Sequence, residues 1–129
     1  MVSYKIKSYA KINLALNVIS KKFKMHKIES IVSFINLHDL IYLKQTKKKD
    51  HKVFFKGKFS KNINKVNTVT NLLKLLDEKK FLNGKKFEVI IVKNIPQKSG
   101  MGGGSMNAAS LINFFIKKKI LKISKIALV

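Results

Sequence analysis

Hydrophobic residues along the chain follow two different rhythms. Near the start, Ile12, Leu14, Leu16 and Val18 are separated by Lys11, Asn13, Ala15 and Asn17. That is the period of two of a strand with one buried face. The pattern predicts strands over Val2 to Lys7 and Ala10 to Ile19, with a short break near Ser8. Ile28 to Leu37 could place Ile28, Ile31, Val32 and Ile35 on one helix face, but its β-branched content favours a strand. Leu40 to Leu43 and His51 to Phe55 read as further strands, joined by the lysine-rich turn Lys44 to Asp50. A polar loop follows from Gly57 to Lys65.

The rhythm then changes. Val69, Leu72, Leu73 and Leu76 share one face of a helix that Asn67 can cap and that ends near Lys80. Asn83-Gly84 is a turn signal, and Phe87 to Val92 is an apolar, β-branched run of strand length. Ala108, Leu111, Ile112 and Phe115 give a second helix at spacings i, i+3, i+4 and i+7, and Leu121 to Val129 reads as the opening of one more. Strands, helix, strand, loop, helix in that order predict an α+β fold. At 129 residues the chain reads as one domain, 1–129.

Between the last strand and its helix lies Pro96-Gln97-Lys98-Ser99-Gly100-Met101-Gly102-Gly103-Gly104-Ser105-Met106-Asn107. It holds four of the six glycines and the single proline. A glycine loop opening a helix lets backbone N–H groups converge, and the helix N-terminus adds unpaired donors and the positive end of its dipole. That suits a phosphate. The spacing is neither GxxxxGK[ST] nor GxGxxG, since Ser105 follows Gly104.

Composition changes the picture less than its charge suggests. The net charge is +22, yet all 28 basic residues are lysine, whereas readers of phosphates and bases favour the arginine fork. Lysine, isoleucine, asparagine and phenylalanine are abundant throughout. Runs such as Lys47 to Lys49 and Lys117 to Lys119 therefore read as solvated faces, and a nucleic-acid partner is not expected. There is no cysteine, which leaves out disulfides and thiolate metal sites. No apolar run reaches the ~18 residues of a membrane span, so a cytoplasmic protein without membrane contact is expected. From pattern alone Lys11 and His26 read as solvated side chains.

Three stretches, taken together, carry a resemblance. Ser8-Tyr9-Ala10-Lys11-Ile12-Asn13-Leu14, Lys24-Met25-His26 and Pro96 to Met106 resemble, in order, the Ser-Pro-Ala-Lys-Leu-Asn-Leu, Gly-Tyr-His and Pro-x-Gly-x-Gly-Leu-Gly-Gly-Gly-Ser-Ser motifs of the GHMP kinases. The branch most similar acts on a cytidylyl-methylerythritol in isoprenoid synthesis. The resemblance implies a two-layer α+β sandwich of the ribosomal-protein-like type, a mixed sheet with helices on one face and a left-handed crossover.

It also implies roles for the matched residues. Pro96, Gln97, Lys98, Ser99, Gly100, Met101, Gly102, Gly103, Gly104, Ser105 and Met106 would bind ATP, with Mg²⁺ bridging its phosphates. Lys11 would be catalytic, beside the substrate hydroxyl, while Asn13 and His26 would hold the small-molecule substrate. Lys24-Met25 in place of Gly-Tyr removes an aromatic from the base site, and Met106 removes a hydroxyl. The family's catalytic Asp belongs to a Gly-Ala-Asp-x-Pro segment with no counterpart here, and Asp39, Asp50 and Asp77 lie in unrelated segments. The chain is thus expected to be the N-terminal, ATP-binding half of a kinase. The other half would come from a separate C-terminal chain, a longer product or a homodimer. A basic RNA- or ribosome-associated module and an inactive kinase remnant are the alternatives.

Overall fold

Inward-facing positions on four strands line up across one sheet. The computed structural model describes residues 3–19, 27–96 and 103–121, with side chains for 3–10, 36–96 and 103–121. The strands are β1 (Ser3–Ile19), β2 (Lys27–Thr46), β3 (Lys52–Lys56) and β4 (Lys86–Val92), and the helices α1 (Thr68–Glu78) and α2 (Gly103–Lys117). Sheet order is β1-β2-β4-β3. The first two pairings are antiparallel and β3 runs parallel to β4, so α1 is the crossover between parallel neighbours. This is the expected mixed sheet of an α+β fold.

Register explains the core. Ile6 pairs with Ile41, Ile41 with Ile91 and Ile91 with Phe55; one step along, Tyr4, Leu43, Val89 and Val53 make a second row. Both rows face the helices. Val69, Leu73 and Leu76 of α1 and Leu111 and Phe115 of α2 close over Ile41, Leu43, Phe87, Val89 and Ile91 in one cluster. Burying a Leu or Phe side chain contributes roughly 1.5–3 kcal/mol, so these rows fix the pairing. A slip of one residue would turn each strand's apolar set to water. The opposite face stays open, with Lys5, Tyr42, Ile90 and Phe54 in register across it.

Two expected breaks are absent. The paired strands expected around Ser8 are one strand, and so are Ile28–Leu37 and Leu40–Leu43. The irregularity lies instead in the pairing, where register shifts fall between Tyr9 and Lys11 and between Asn13 and Ala15. A bulge bends a strand without ending it. Around α1 the reading holds closely: the Asn67 Oδ1 accepts from the N–H groups of Val69 and Thr70, both at 3.1 Å, and Thr70 Oγ1 accepts from the Asn67 N–H at 2.8 Å. This reciprocal cap satisfies donors that the helix start leaves unpaired. Asn83 and Gly84 both have positive φ, 53° and 76°, as the turn signal requires.

His51 joins three elements at the far end of the sheet. Its Nδ1 accepts the Phe87 N–H at 3.0 Å, which places the ring proton on Nε2, donated to Asp77 Oδ1 at 3.0 Å. Lys86 Nζ donates to the other Asp77 oxygen at 2.7 Å. Burial alone would raise the Asp77 carboxyl, but the bonds from Lys86 and His51 outweigh it and hold the group below its ordinary value. A lowered folded-state pKa contributes stability above the unfolded value of about 3.9, lost as pH falls through the folded one. Asp77→Asn should therefore cost about 1–2 kcal/mol at pH 7. In urea melts the gap from wild type should shrink as the pH is lowered below about 4.

Candidate functional site

The third inward-facing row across the sheet is polar. One step beyond Ile6, Ile41 and Ile91 stand Ser8, Asp39 and Lys93. All three are buried, as is Asn107 in the first turns of α2 above them. Asp39 Oδ1 accepts the main-chain N–H groups of Asn94 at 2.6 Å and Ile95 at 2.9 Å. Its Oδ2 accepts Lys93 Nζ at 2.5 Å and Asn107 Nδ2 at 3.0 Å. Asn107 Oδ1 takes a second Lys93 proton at 2.9 Å, and its amide donates to Ser8 Oγ at 2.9 Å. No buried side-chain nitrogen or oxygen among the described residues lacks a partner. A buried network of this kind is stabilising only when every member is satisfied.

This row lies where β4 ends and α2 begins, the two described ends of the glycine segment. β4 leads into it through Lys93, Asn94 and Ile95, and α2 leaves it at Gly103. A Cβ on Gly103 would stand 3.3 Å from both Lys93 Nζ and Ile95 Cγ2, and one on Gly104 would stand 3.2 Å from Thr68 Oγ1. The glycines therefore serve close approach. Gly103 seats the helix start on the buried row, and Gly104 brings it against the first residue of α1. Two helix N-termini meet there, and neither carries an acidic residue in its first turn. Each presents the positive end of its dipole; at α1 the Asn67 cap already takes the Val69 and Thr70 N–H groups, so the donors a helix start leaves unpaired are left to α2.

Of the residues singled out from sequence, Gly103, Gly104, Ser105 and Met106 form the first turn of α2, with Ser105 exposed, and Pro96 follows the tethered β4 end. Gln97, Lys98, Ser99, Gly100, Met101, Gly102 and His26 lie outside the described residues. Lys11 and Asn13 lie in β1 opposite Phe34 and Val32, and their side chains are likewise outside. Sequence reasoning missed Ser8, Lys93 and Asn107 and set Asp39 aside. The available signal was a polar residue at an inward position of each alternation: Ser8 after Ile6, Asp39 before Ile41, Lys93 after Ile91. A separate hollow of about 500 Å³ between β3 and α1 is lined by His51, Val53, Asn64 and Asp77. Its His51 and Asp77 are already bonded to each other, and among the described residues it is lined by neither Pro96 nor the first turn of α2. Among the described residues no cluster of His, Asp or Glu could hold a metal ion, and no helix is long and apolar enough to cross a membrane.

Removing the carboxylate would strand a buried ammonium, which typically costs about 3–5 kcal/mol. Asp39→Ala should lower the urea midpoint accordingly. The double variant Asp39→Leu with Lys93→Met should recover only the part due to the stranded charge, because the Asn94 and Ile95 N–H groups still lose their acceptor.

Comparison with known proteins agrees with this arrangement. Residues 67–129 match the family described as GHMP kinases N terminal domain. The 4-diphosphocytidyl-2-C-methyl-D-erythritol kinase of Pelagibacter ubique (strain HTCC1062) is 66% identical over 97% of this chain and 44% of its own length. The enzyme of the same name from Clostridioides difficile (strain 630) is 35% identical over 84% of this chain and 36% of its own. A crystal structure of 4-(cytidine 5'-diphospho)-2C-methyl-D-erythritol kinase superposes with a TM-score of 0.63 at 20% identity, covering 89% of this chain and 40% of that one. The chain spans less than half the length of the curated relatives it matches. In sequence the chain is similar to the GHMP kinases, and residues 67–129 match the N-terminal domain of that family.

Proposed function

We propose that residues 1–129 are the N-terminal, ATP-binding domain of a cytoplasmic kinase that phosphorylates a hydroxyl of 4-diphosphocytidyl-2-C-methyl-D-erythritol. The observation that carries this reading is the meeting of two helix N-termini at Gly103 and Gly104, free of acidic side chains and fed by a glycine loop. The two positive dipole ends, with the first-turn N–H groups of α2, suit the polyphosphate of a nucleotide. The names of the relatives supply the substrate.

In this reading residues 96–106 enclose the ATP phosphates, and the exposed Ser105 hydroxyl is available to a phosphate oxygen or to Mg²⁺. The metal would travel with the nucleotide and neutralise charge developing on the transferred group. Lys11 would stand beside the substrate hydroxyl and favour loss of its proton, with Asn13 and His26 holding the substrate. The carboxylate that such a transfer uses as base would come from the part of the kinase that extends beyond the similarity seen here.

Titration with MgATP tests the domain by itself. Binding should raise the melting temperature, by about 2.7 kcal/mol of added stability at a hundredfold excess over Kd. Ser105→Leu, at an exposed position, should weaken binding at least tenfold and leave the nucleotide-free melting temperature within a degree or two. Millimolar MgATP without effect on melting or amide spectra would sink the proposal. Steeply salt-dependent RNA binding that ignores Ser105→Leu would favour the basic module instead. Fusion to the remaining length of the Pelagibacter ubique relative should restore phosphorylation of the cytidylyl substrate, and Lys11→Met in that fusion should abolish it.

A further inference from the structure

We infer that Asp39 is the positioning residue of the glycine loop: one buried carboxylate sets where the loop begins and where it ends. The nucleotide consequence rests on the function proposed above; the anchoring does not. The two oxygens divide the work. Oδ1 takes only the main-chain donors at the loop's entry, Asn94 and Ile95. Oδ2 takes the groups that fix its exit, Asn107 of α2 and the Lys93 ammonium, which itself bonds Asn107. Strand end and helix start are thereby referred to one side chain on a third element, β2.

Glycine-rich segments lose more conformational freedom on ordering than any other composition, so a span such as 97–102 does little to hold its own ends. With both ends anchored on the buried row, an arriving anion has less chain freedom left to remove. Less of the binding energy is then consumed in ordering, and affinity rises for the same contacts. An ionised carboxylate suits this post in a way an amide does not. All four partners are donors, so the NH₂ of an Asn at position 39 would face donors on one side or the other. The packing of Gly103 against Lys93 and Ile95 carries the anchoring into the first turn of the helix that would meet the phosphates.

Two variants and one control separate positioning from general stability. Asn107→Ala cuts the tie between α2 and the carboxylate. Ser8→Ala, milder and safe for folding, removes one acceptor of the Asn107 amide. Leu76→Ala, at the opposite end of α1, serves as a control whose loss of stability is measured alongside by urea melting. Amide exchange over residues 97–104 should be slower than the unprotected rate in wild type. It should quicken about tenfold in Asn107→Ala and severalfold in Ser8→Ala, beyond any change at Val89 and Phe115, while Leu76→Ala should raise all of these together. Unprotected loop amides in wild type, or loop exchange that only follows global stability in the variants, would overturn the inference. MgATP affinity should fall about tenfold in Asn107→Ala, severalfold in Ser8→Ala and less than threefold in Leu76→Ala. Equal falls in all three would also overturn it. Wild-type protein that ignores MgATP would sink the nucleotide reading, while the exchange data would still decide the anchoring.

Discussion

A single carboxylate inside the protein, Asp39 on β2, receives four hydrogen bonds, three from the consecutive residues Lys93, Asn94 and Ile95 and one from Asn107 of α2. Nothing else in the described structure joins β2, the end of β4 and α2 so directly. The Asp39–Lys93 pair is almost wholly withdrawn from water, where the cost of stripping hydration from two charges is repaid only by good geometry and further bonds. Both conditions are met. Asn107 completes the coordination of both charges, and Ser8 completes that of Asn107. Such an arrangement adds less to net stability than an apolar core of the same volume could. What it adds is specificity of place, because every donor and acceptor in it is matched only when all four side chains hold this arrangement.

The rest of the sheet works outward from that row. Two apolar rows align the strands and bury the helices, and the polar row succeeds them at the end where the chain turns out of β4. Because the row is continuous with the core, the helix start lies on a rigid floor. Gly103 and Gly104 then bring α2 within side-chain distance of the floor and of the first residue of α1. The convergence of two helix N-termini is thus a product of packing, and any charge effect there follows from where the backbones have been placed.

Much of this was legible in the residues. Alternation located the strands, the Asn67 cap and its apolar stripe located α1, and the glycine segment between a strand and a helix located the candidate site. Three motifs in order pointed to the family before any coordinates. What alternation could not supply was continuity. Ser8 and Asp39 are polar, so a hydrophobic count breaks at both, although each keeps its inward position in an unbroken strand. Lys93 was hidden for a different reason. In a chain this rich in lysine, one more after a strand reads as solvated, and only its register with Asp39 distinguishes it. The role of Gly103 also needed three dimensions. Sequence suggests open backbone facing a phosphate, whereas the vacant Cβ direction points to Lys93 and Ile95.

The shortest strand carries a consequence of its own. β3 pairs on one side only, with β4, at the rim of the sheet as described, so its other side offers backbone donors and acceptors to any extended chain. Phe54 adds an exposed ring at its centre. Its brevity, and exposed lysines at both ends, Lys52 and Lys56, oppose the stacking of one molecule against the next. The surplus of lysine that obscured the buried one thus has a use at this margin, where like charges at both ends of the strand disfavour edge-to-edge pairing.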